Sequence, residues 1–358
     1  QTLFGGGFRG QLNFSEVSDS QYYEDLGGSL SISSITHLNR SVRLDYYSRN
    51  LTMLARLQDY QTIDDAITAD LEPYQRLPQV VLSGLWAMPL GLRIGVDSEV
   101  VNFDRDVGVT GWRFNATPRV ELALEQPGWF IKPAIEYDYT EYSLQDTVPG
   151  EPTTHSRHLP ISSMDIGLIL ERGLTNSNHL QTIEPRLLYV NIPFRDQDDL
   201  QLCRKNRYLG IDRIGDTKQL SAGITTRVLD LETGREVMSA TVGQTRYYDN
   251  RMVTLPGAAT ETAETSDYIA QLRVSVFKNV NVALGHQWGS DTTKSEARVQ
   301  YRPADSKIVN LAYRFRRDSL EQGDLSWSWP IARQWNFVGR YNFSLRDDAV
   351  LEQFFGLE

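Results

Sequence analysis

The chain has 358 residues, a formal net charge of -10 and 40% hydrophobic residues. Its mean hydropathy is -0.40, and no run approaches the ~18 apolar residues of a membrane helix, which excludes a helical membrane protein. A membrane β-barrel is not excluded, because its strands turn only alternate residues to lipid; nucleic acid is a poor partner, because no basic stripe meets phosphates.

The chain opens QTLFGGGFRG. This stretch lacks Met, a basic region and an apolar region, so either a leader has been removed or the chain starts inside a longer protein. Gly5-Gly6-Gly7 reads as a turn, since no Lys-Ser/Thr pair follows to complete a phosphate loop. The best helical candidate, 63–71, is short and falls in a predicted loop. Period two dominates the rest. Trp129, Ile131, Ile135, Tyr137 and Tyr139 alternate with Phe130, Lys132, Glu136 and Asp138. Met164, Ile166 and Leu168 repeat the rhythm, as do Leu220, Ala222 and Ile224. Leu272, Val274, Leu284, Leu311 and Tyr313 carry it on, with Arg273, Asn310 and Arg314 in the opposite phase.

The sequence predicts about 18 such strands of roughly 8–12 residues, which is membrane-strand length. Large and charged residues in the polar phase suit a wide hydrated interior better than a packed sandwich. Aromatic residues cluster near strand ends: Tyr46, Trp86, Trp112, Tyr137, Tyr139, Tyr142, Tyr247, Tyr248, Trp327, Trp329, Trp335, Phe354 and Phe355. Such clusters predict interfacial girdles. Pro78, Pro118, Pro133 and Pro185 lie in or beside strands. Lacking an N–H, they are expected near rims or at weak points in the ladder.

Long polar connections (58–76, 143–160, 191–217, 249–266) alternate with short ones (230–234, 303–306, 330–333). That is the rhythm of outer loops and inner turns in an outer-membrane barrel. The stretch 183–200, IEPRLLYVNIPFRDQDDL, runs from a strand into acid. It predicts a strand that leaves the bilayer at Val190 and an external loop from Arg195. The acids from Asp196 to Asp199 resemble a divalent-cation donor set, but a solvated loop accounts for them.

Chemistry-bearing residues are few. His155-Ser156-Arg157-His158 offers two imidazoles without a third ligand, in a predicted loop. His286 sits on an apolar phase as an interfacial histidine. Cys203, the single cysteine, reads as a partly buried thiol. No Ser/His/Asp arrangement points to an enzyme, and no catalytic, metal or cofactor residue is assigned. Two other classes fit the same pattern: a general porin or ligand-gated barrel, and a large soluble β-sandwich or adhesin.

Four stretches, in order, resemble the LptD family of outer-membrane lipopolysaccharide-assembly proteins. They are FRGQLNFSEVSDSQYYEDLG (8–27), IEPRLLYVNIPFRDQDDL (183–200), RYLGIDRIGDTKQLSAGITTRVLD (207–230) and WSWPIARQWNFVGRYNF (327–343). The resemblance implies an all-β protein, a large antiparallel transmembrane barrel of about 26 strands. It implies passage of lipopolysaccharide through the lumen and a lateral seam into the outer leaflet. The implied partners are lipopolysaccharide, the plug lipoprotein LptE, outer-membrane lipid and a periplasmic bridge met through a jelly-roll. Residues 1–358 would be the middle of the barrel, without that jelly-roll, the first strands, the last strands or the family's adjacent cysteines. The connection between 200 and 207 is shorter than the family's. Cys203 does not match the family's disulfide positions and takes no disulfide from it.

Overall fold

The computed structural model describes residues 2–26, 34–175, 177–197, 211–254, 257–276, 279–290 and 293–358. Their strands form one sheet. The first part of the meander is β1 (Thr2–Phe4), β2 (Phe8–Asn13), β3 (His37–Tyr47), β4 (Leu51–Thr62), β5 (Gln75–Ala87) and β6 (Leu92–Asp104). Then come β7 (Thr110–Leu122), β8 (Leu124–Gln126), β9 (Trp129–Gln145), β10 (Thr154–Leu168), β11 (Leu170–Gly173) and β12 (His179–Ile192). The last part is β13 (Thr217–Asp230), β14 (Glu236–Tyr247), β15 (Tyr268–Val276), β16 (Val280–Trp288), β17 (Thr293–Ala304) and β18 (Lys307–Arg316), followed by β19 (Leu320–Ala332), β20 (Trp335–Ser344) and β21 (Ala349–Leu357).

Neighbours in sequence pair antiparallel throughout. β7 and β8 are parted only by Ala123, and β10 and β11 only by Ile169. Counted as one strand each, these pairs reduce 21 segments to 19, close to the number expected from the alternation.

The interruptions have a common cause. Pairing of β7 and β8 with β9 stops at Glu121–Ala134 and resumes at Leu124–Ile131, opposite Pro133. Pairing of β10 and β11 with β12 stops at Gly167–Arg186 and resumes at Leu170–Ile183, opposite Pro185. Pro118 lies in the gap between Ala116–Tyr139 and Arg119–Glu136. Pro78 lies in the register shift between Arg76 and Gln79. Each ring nitrogen has no hydrogen to donate, so the ladder opens beside it. Pro133 and Pro185 lie well inside their strands rather than at the rims, so the weak-point expectation holds and the rim expectation does not.

The two faces of the sheet differ as the alternation requires. In β7, Trp112, Phe114 and Val120 are exposed, whereas Arg113 and Asn115 between them are buried. In β9, Ile135 and Tyr137 are exposed, while Asp138 and Thr140 are buried. Leu187, Ile224, Val242, Leu284 and Leu311 continue the exposed apolar face. These side chains do not pack between two sheets, which removes the β-sandwich reading. Aromatic pairs mark both ends of the face. Near the short turns are Phe8–Tyr46 at 4.8 Å, Tyr301–Trp329 at 6.4 Å and Trp327–Phe337 at 5.5 Å. Near the other end are Phe114–Tyr139 at 6.0 Å, Tyr268–Trp288 at 5.5 Å and Tyr341–Phe343 at 6.2 Å. From Trp129 to Tyr139 the chain climbs about 33 Å along the strand. At a tilt of about 40° that is roughly the 25 Å height of a lipid-facing band.

Tyr142, grouped with the girdle from sequence, is on the inner phase and 1% exposed. The stretch 63–71 is irregular, and the one α-helix among the described residues is Tyr22–Leu26. The connections 63–74 and 146–153 are shorter than the sequence suggested, because their strands continue past the apolar band.

Opposite faces give opposite mutational outcomes. Leu272→Arg, on the outer phase of β15, is expected to lower stability by about 2–4 kcal/mol in lipid vesicles. Gln271→Arg, one residue away on the inner phase, is expected to stay within about 0.5 kcal/mol. Denaturant unfolding followed by tryptophan fluorescence in vesicles checks both; equal losses would refute the facing.

Candidate functional site

The inner phases of β6, β7, β9 and β10 meet in a buried polar network toward the end that carries the long connections. Arg113 of β7 is 2% exposed and donates to Glu99 of β6 and to Asp212 of the 193–216 connection. Tyr142 of β9 donates its hydroxyl to the same Asp212 carboxylate at 2.6 Å. Arg157 of β10 reaches Asp138 at 2.9 Å and Thr140 at 3.1 Å on the wall. The Nη2 that makes both contacts also meets the Ile211 carbonyl at 2.6 Å, and Nη1 reaches Gln197 and the Asp212 carbonyl, each at 3.0 Å. Asn115 completes the wall side, donating to Asp138 and Thr140, each at 2.9 Å.

These contacts decide where the connection goes. Gln197 lies across Ile214, accepting its N–H at 3.0 Å and donating to its carbonyl at 2.8 Å. Segments 193–197 and 211–216 are therefore tied to each other and to the wall. Asp216 extends the tie by accepting the N–H groups of Met252 at 3.0 Å and Val253 at 2.7 Å from the 248–267 connection. A second tie holds 63–74: Arg105 donates to the Asp70 carbonyl at 2.8 Å and stacks 4.3 Å from the Tyr74 ring, and Tyr74 donates to the Val109 carbonyl at 2.7 Å. Burial pushes the Tyr74 phenol above its ordinary range, while the Arg105 charge works the other way. Val101, Phe103, Tyr142 and Leu144 form an apolar cluster beneath. The long connections thus converge as a cap on one end of the wall.

Two expectations are corrected here. The chain leaves its strand after Ile192 with Phe194, Arg195 and Asp196 exposed, as expected, but Gln197 turns back: it is 4% exposed and sits against Arg157. Buried guanidinium donors need acceptors, and the connection supplies them. His155 and His158 lie on β10 rather than in a loop. His158 shares a hydrogen bond with the Tyr137 hydroxyl at 2.9 Å on the outer face. Arg157 between them is the inward residue that matters, and its place in the alternation was the available signal. His286 bonds Ser295 at 2.9 Å and stacks on Trp288 at 5.1 Å, as an interfacial imidazole does. Cys203, Asp198, Asp199 and the short 200–207 connection lie outside the described residues.

Lower on the inner wall the charges pair across strands. Arg93–Glu121 is 2.9 Å, Arg119–Glu136 2.6 Å, Lys132–Glu125 2.8 Å and Arg186–Asp165 2.6 Å. A single antiparallel wall, apolar on one side and lined with hydrogen-bonding groups on the other, defines a transmembrane β-barrel of the outer-membrane type. The family model for LPS transport system D matches residues 1–344. The LPS-assembly protein LptD of Nitrosococcus oceani is 39% identical over 97% of this chain and 50% of its own length. That of Aromatoleum aromaticum is 35% identical over 98% of this chain and 46% of its own. Among solved structures, the FpvAI–pyocin S2 complex aligns with a TM-score of 0.46 at 12% identity, over 89% of this chain and 58% of that one. The chain belongs to the LptD family, and it spans about half the length of the curated relatives it matches.

Truncating Arg157 strands Asp138 in a buried site, so Arg157→Ala is expected to lower stability by about 3–5 kcal/mol. It should also free the connection. In a Cys203→Ser background, Ile211→Cys, which keeps the backbone carbonyl that Arg157 holds, should react slowly with an impermeant thiol reagent and faster once Arg157→Ala is added. Equal labelling in the two backgrounds would dismiss the tie.

Proposed function

We propose that the chain is part of a barrel that assembles lipopolysaccharide at the outer-membrane surface. The observation that carries this is the family match over residues 1–344 on a wall that is polar inside and apolar outside. The phosphorylated sugar head group would pass through the hydrated lumen while the acyl chains stay in an apolar environment. Moving a bare polar head group through hydrocarbon is unfavourable by several kcal/mol per unsatisfied group. Inward residues replace the lost water bonds. The protein's part is passage without covalent chemistry.

The turn end of the wall would face the periplasm and the capped end the outside. The sheet edges at β1 and β21 each have one strand neighbour among the described residues. Open edges are not tolerated in lipid, so residues 1–358 are read as a contiguous portion of a larger barrel. Its partners would be the LptE plug lipoprotein in the lumen and a periplasmic bridge that delivers the lipid. Egress would follow a lateral seam in the barrel wall.

Depleting the full-length protein is expected to abolish surface labelling of newly made lipopolysaccharide within a few generations, and restoring it should recover the signal. Normal surface arrival during depletion would refute the proposal. So would purification of a stable, open ion-conducting barrel with no lipoprotein bound.

A further inference from the structure

The inner wall is not uniformly neutralised. From β6 to β12 its arginines meet carboxylates, and the same holds for Arg227 with Glu184 and Arg340 with Asp324. On β15 to β18 the balance changes. Arg273, Lys294, Arg298, Arg314 and Arg316 all occupy the inner phase, opposite Leu272, Val299, Leu311 and Phe315. Among these five, Arg298 alone makes an ion pair among the described residues, with Glu296 at 3.5 Å; Arg302, nearer the turn end of β17, pairs with Asp305 at 3.2 Å. The nearest other carboxylates are engaged elsewhere: Glu236 with Arg227 at 3.2 Å and Asp324 with Arg340 at 2.5 Å. Glu236 lines the same recess as Arg273, and Asp324 pairs in register with Ala312, two residues from Arg314; five cations among three carboxylates still run against the sign of a chain of net charge -10.

The register gives this patch a shape. Arg273 pairs with Ala283, and Ala283 pairs with Arg298, which in turn faces Ala312. Two strand spacings put the two arginine backbones about 10 Å apart with a methyl between them, within convergent reach of their side chains. One step up, Gly285 pairs with Glu296, which in turn pairs with Arg314. A Cβ at Gly285 would stand 2.9 Å from the Glu296 Cγ, so glycine leaves room for that side chain to lie down. The small residues make a floor and the cations a rim. Two recesses result, of about 460 Å³ and 600 Å³.

We propose that this part of the inner wall is an anion recess that takes the phosphate groups of a phosphorylated glycolipid in transit, with Arg273, Arg298 and Arg314 as its principal donors. The inference rests on the lumen-passage reading above and adds the residues that contact the cargo. Guanidinium forks fit phosphate oxygens two at a time. Arg273 and Arg314, which make no ion pair among the described residues, keep their donors available, while Arg298 shares its own with Glu296 at 3.5 Å. Glu296 lowers the affinity enough for release, since a passage site that holds its cargo too tightly stops the flow.

The test uses the full-length protein in cells, with a photo-crosslinking phenylalanine at Ala283, at the inward Thr225 or at the outward Leu284. Lipopolysaccharide is expected to be captured at Ala283 and Thr225. Arg273→Gln with Arg298→Gln should reduce the Ala283 adduct about tenfold or more and leave the Thr225 adduct unchanged. Arg273→Lys with Arg298→Lys should recover part of it. If the glutamine pair fails to assemble, judged by loss of the heat-shifted band, Glu296→Gln decides: capture at Ala283 should rise. Capture at Thr225 alone, or Ala283 capture indifferent to these changes, overturns the recess while leaving lumen passage standing. Capture at neither inward position overturns both.

Discussion

Hydrocarbon offers no hydrogen bonds, so a strand that crosses it must find partners for its backbone in other strands. This constraint orders the rest of the structure. It explains why pairing runs unbroken from β1 to β21 through neighbours in sequence, and why the side chains divide so sharply between faces. It also explains the prolines. A residue without N–H opens the ladder only on the side to which that N–H would point, and Pro118, Pro133 and Pro185 each do so on one side between well-formed rungs. The wall absorbs these openings because long strands supply rungs on either side. Pairing of β9 with β10 runs from Ser143 to Trp129 without interruption across the same height.

The inner face answers a different demand. An arginine inside a cap of protein has lost water and must be given acceptors, or burying it would cost several kcal/mol. Arg113 and Arg157 receive theirs partly from the wall and partly from a distant connection. Stability and closure are therefore coupled. The groups that satisfy the arginines are the ones that place 211–216 against β7 and β10. Neither side of this arrangement is favourable without the other.

Much of this was legible in the alternation. Trp112 and Phe114 against Arg113 and Asn115, or Leu311 against Asn310, assign faces with no further information. Strand number and the turn–loop rhythm followed from the same pattern. The tertiary fate of polar residues was not legible. Nothing local tells Gln197 to turn inward, since its partner Arg157 is 40 residues away in sequence. Tyr142 was misplaced because aromatic residues near strand ends were read as a group; its even position among odd-numbered outward neighbours was the better guide. The His155–His158 spacing drew attention to a pair of imidazoles that the strand splits between its faces: His158 faces outward, and His155 shares the inward phase of Arg157.

The two halves of the inner wall also differ in what their charges are for. Where cations and anions are matched within 3 Å, as at Arg119–Glu136 and Arg186–Asp165, the wall is electrostatically closed and gains little from an added ion. Where Arg273, Lys294, Arg314 and Arg316 make no ion pair among the described residues, an entering anion meets donors that need not first give up a protein partner. Such cations repel one another, which is tolerable only because the lumen is wet and screens them. Carboxylates are fewer among them than on β6 to β12: Glu296 pairs with Arg298, while Glu236 and Asp324 pair with Arg227 and Arg340. The cations' concentration on adjacent strands, over a floor of alanine and glycine, is the arrangement that favours a passing negative charge over a resident one.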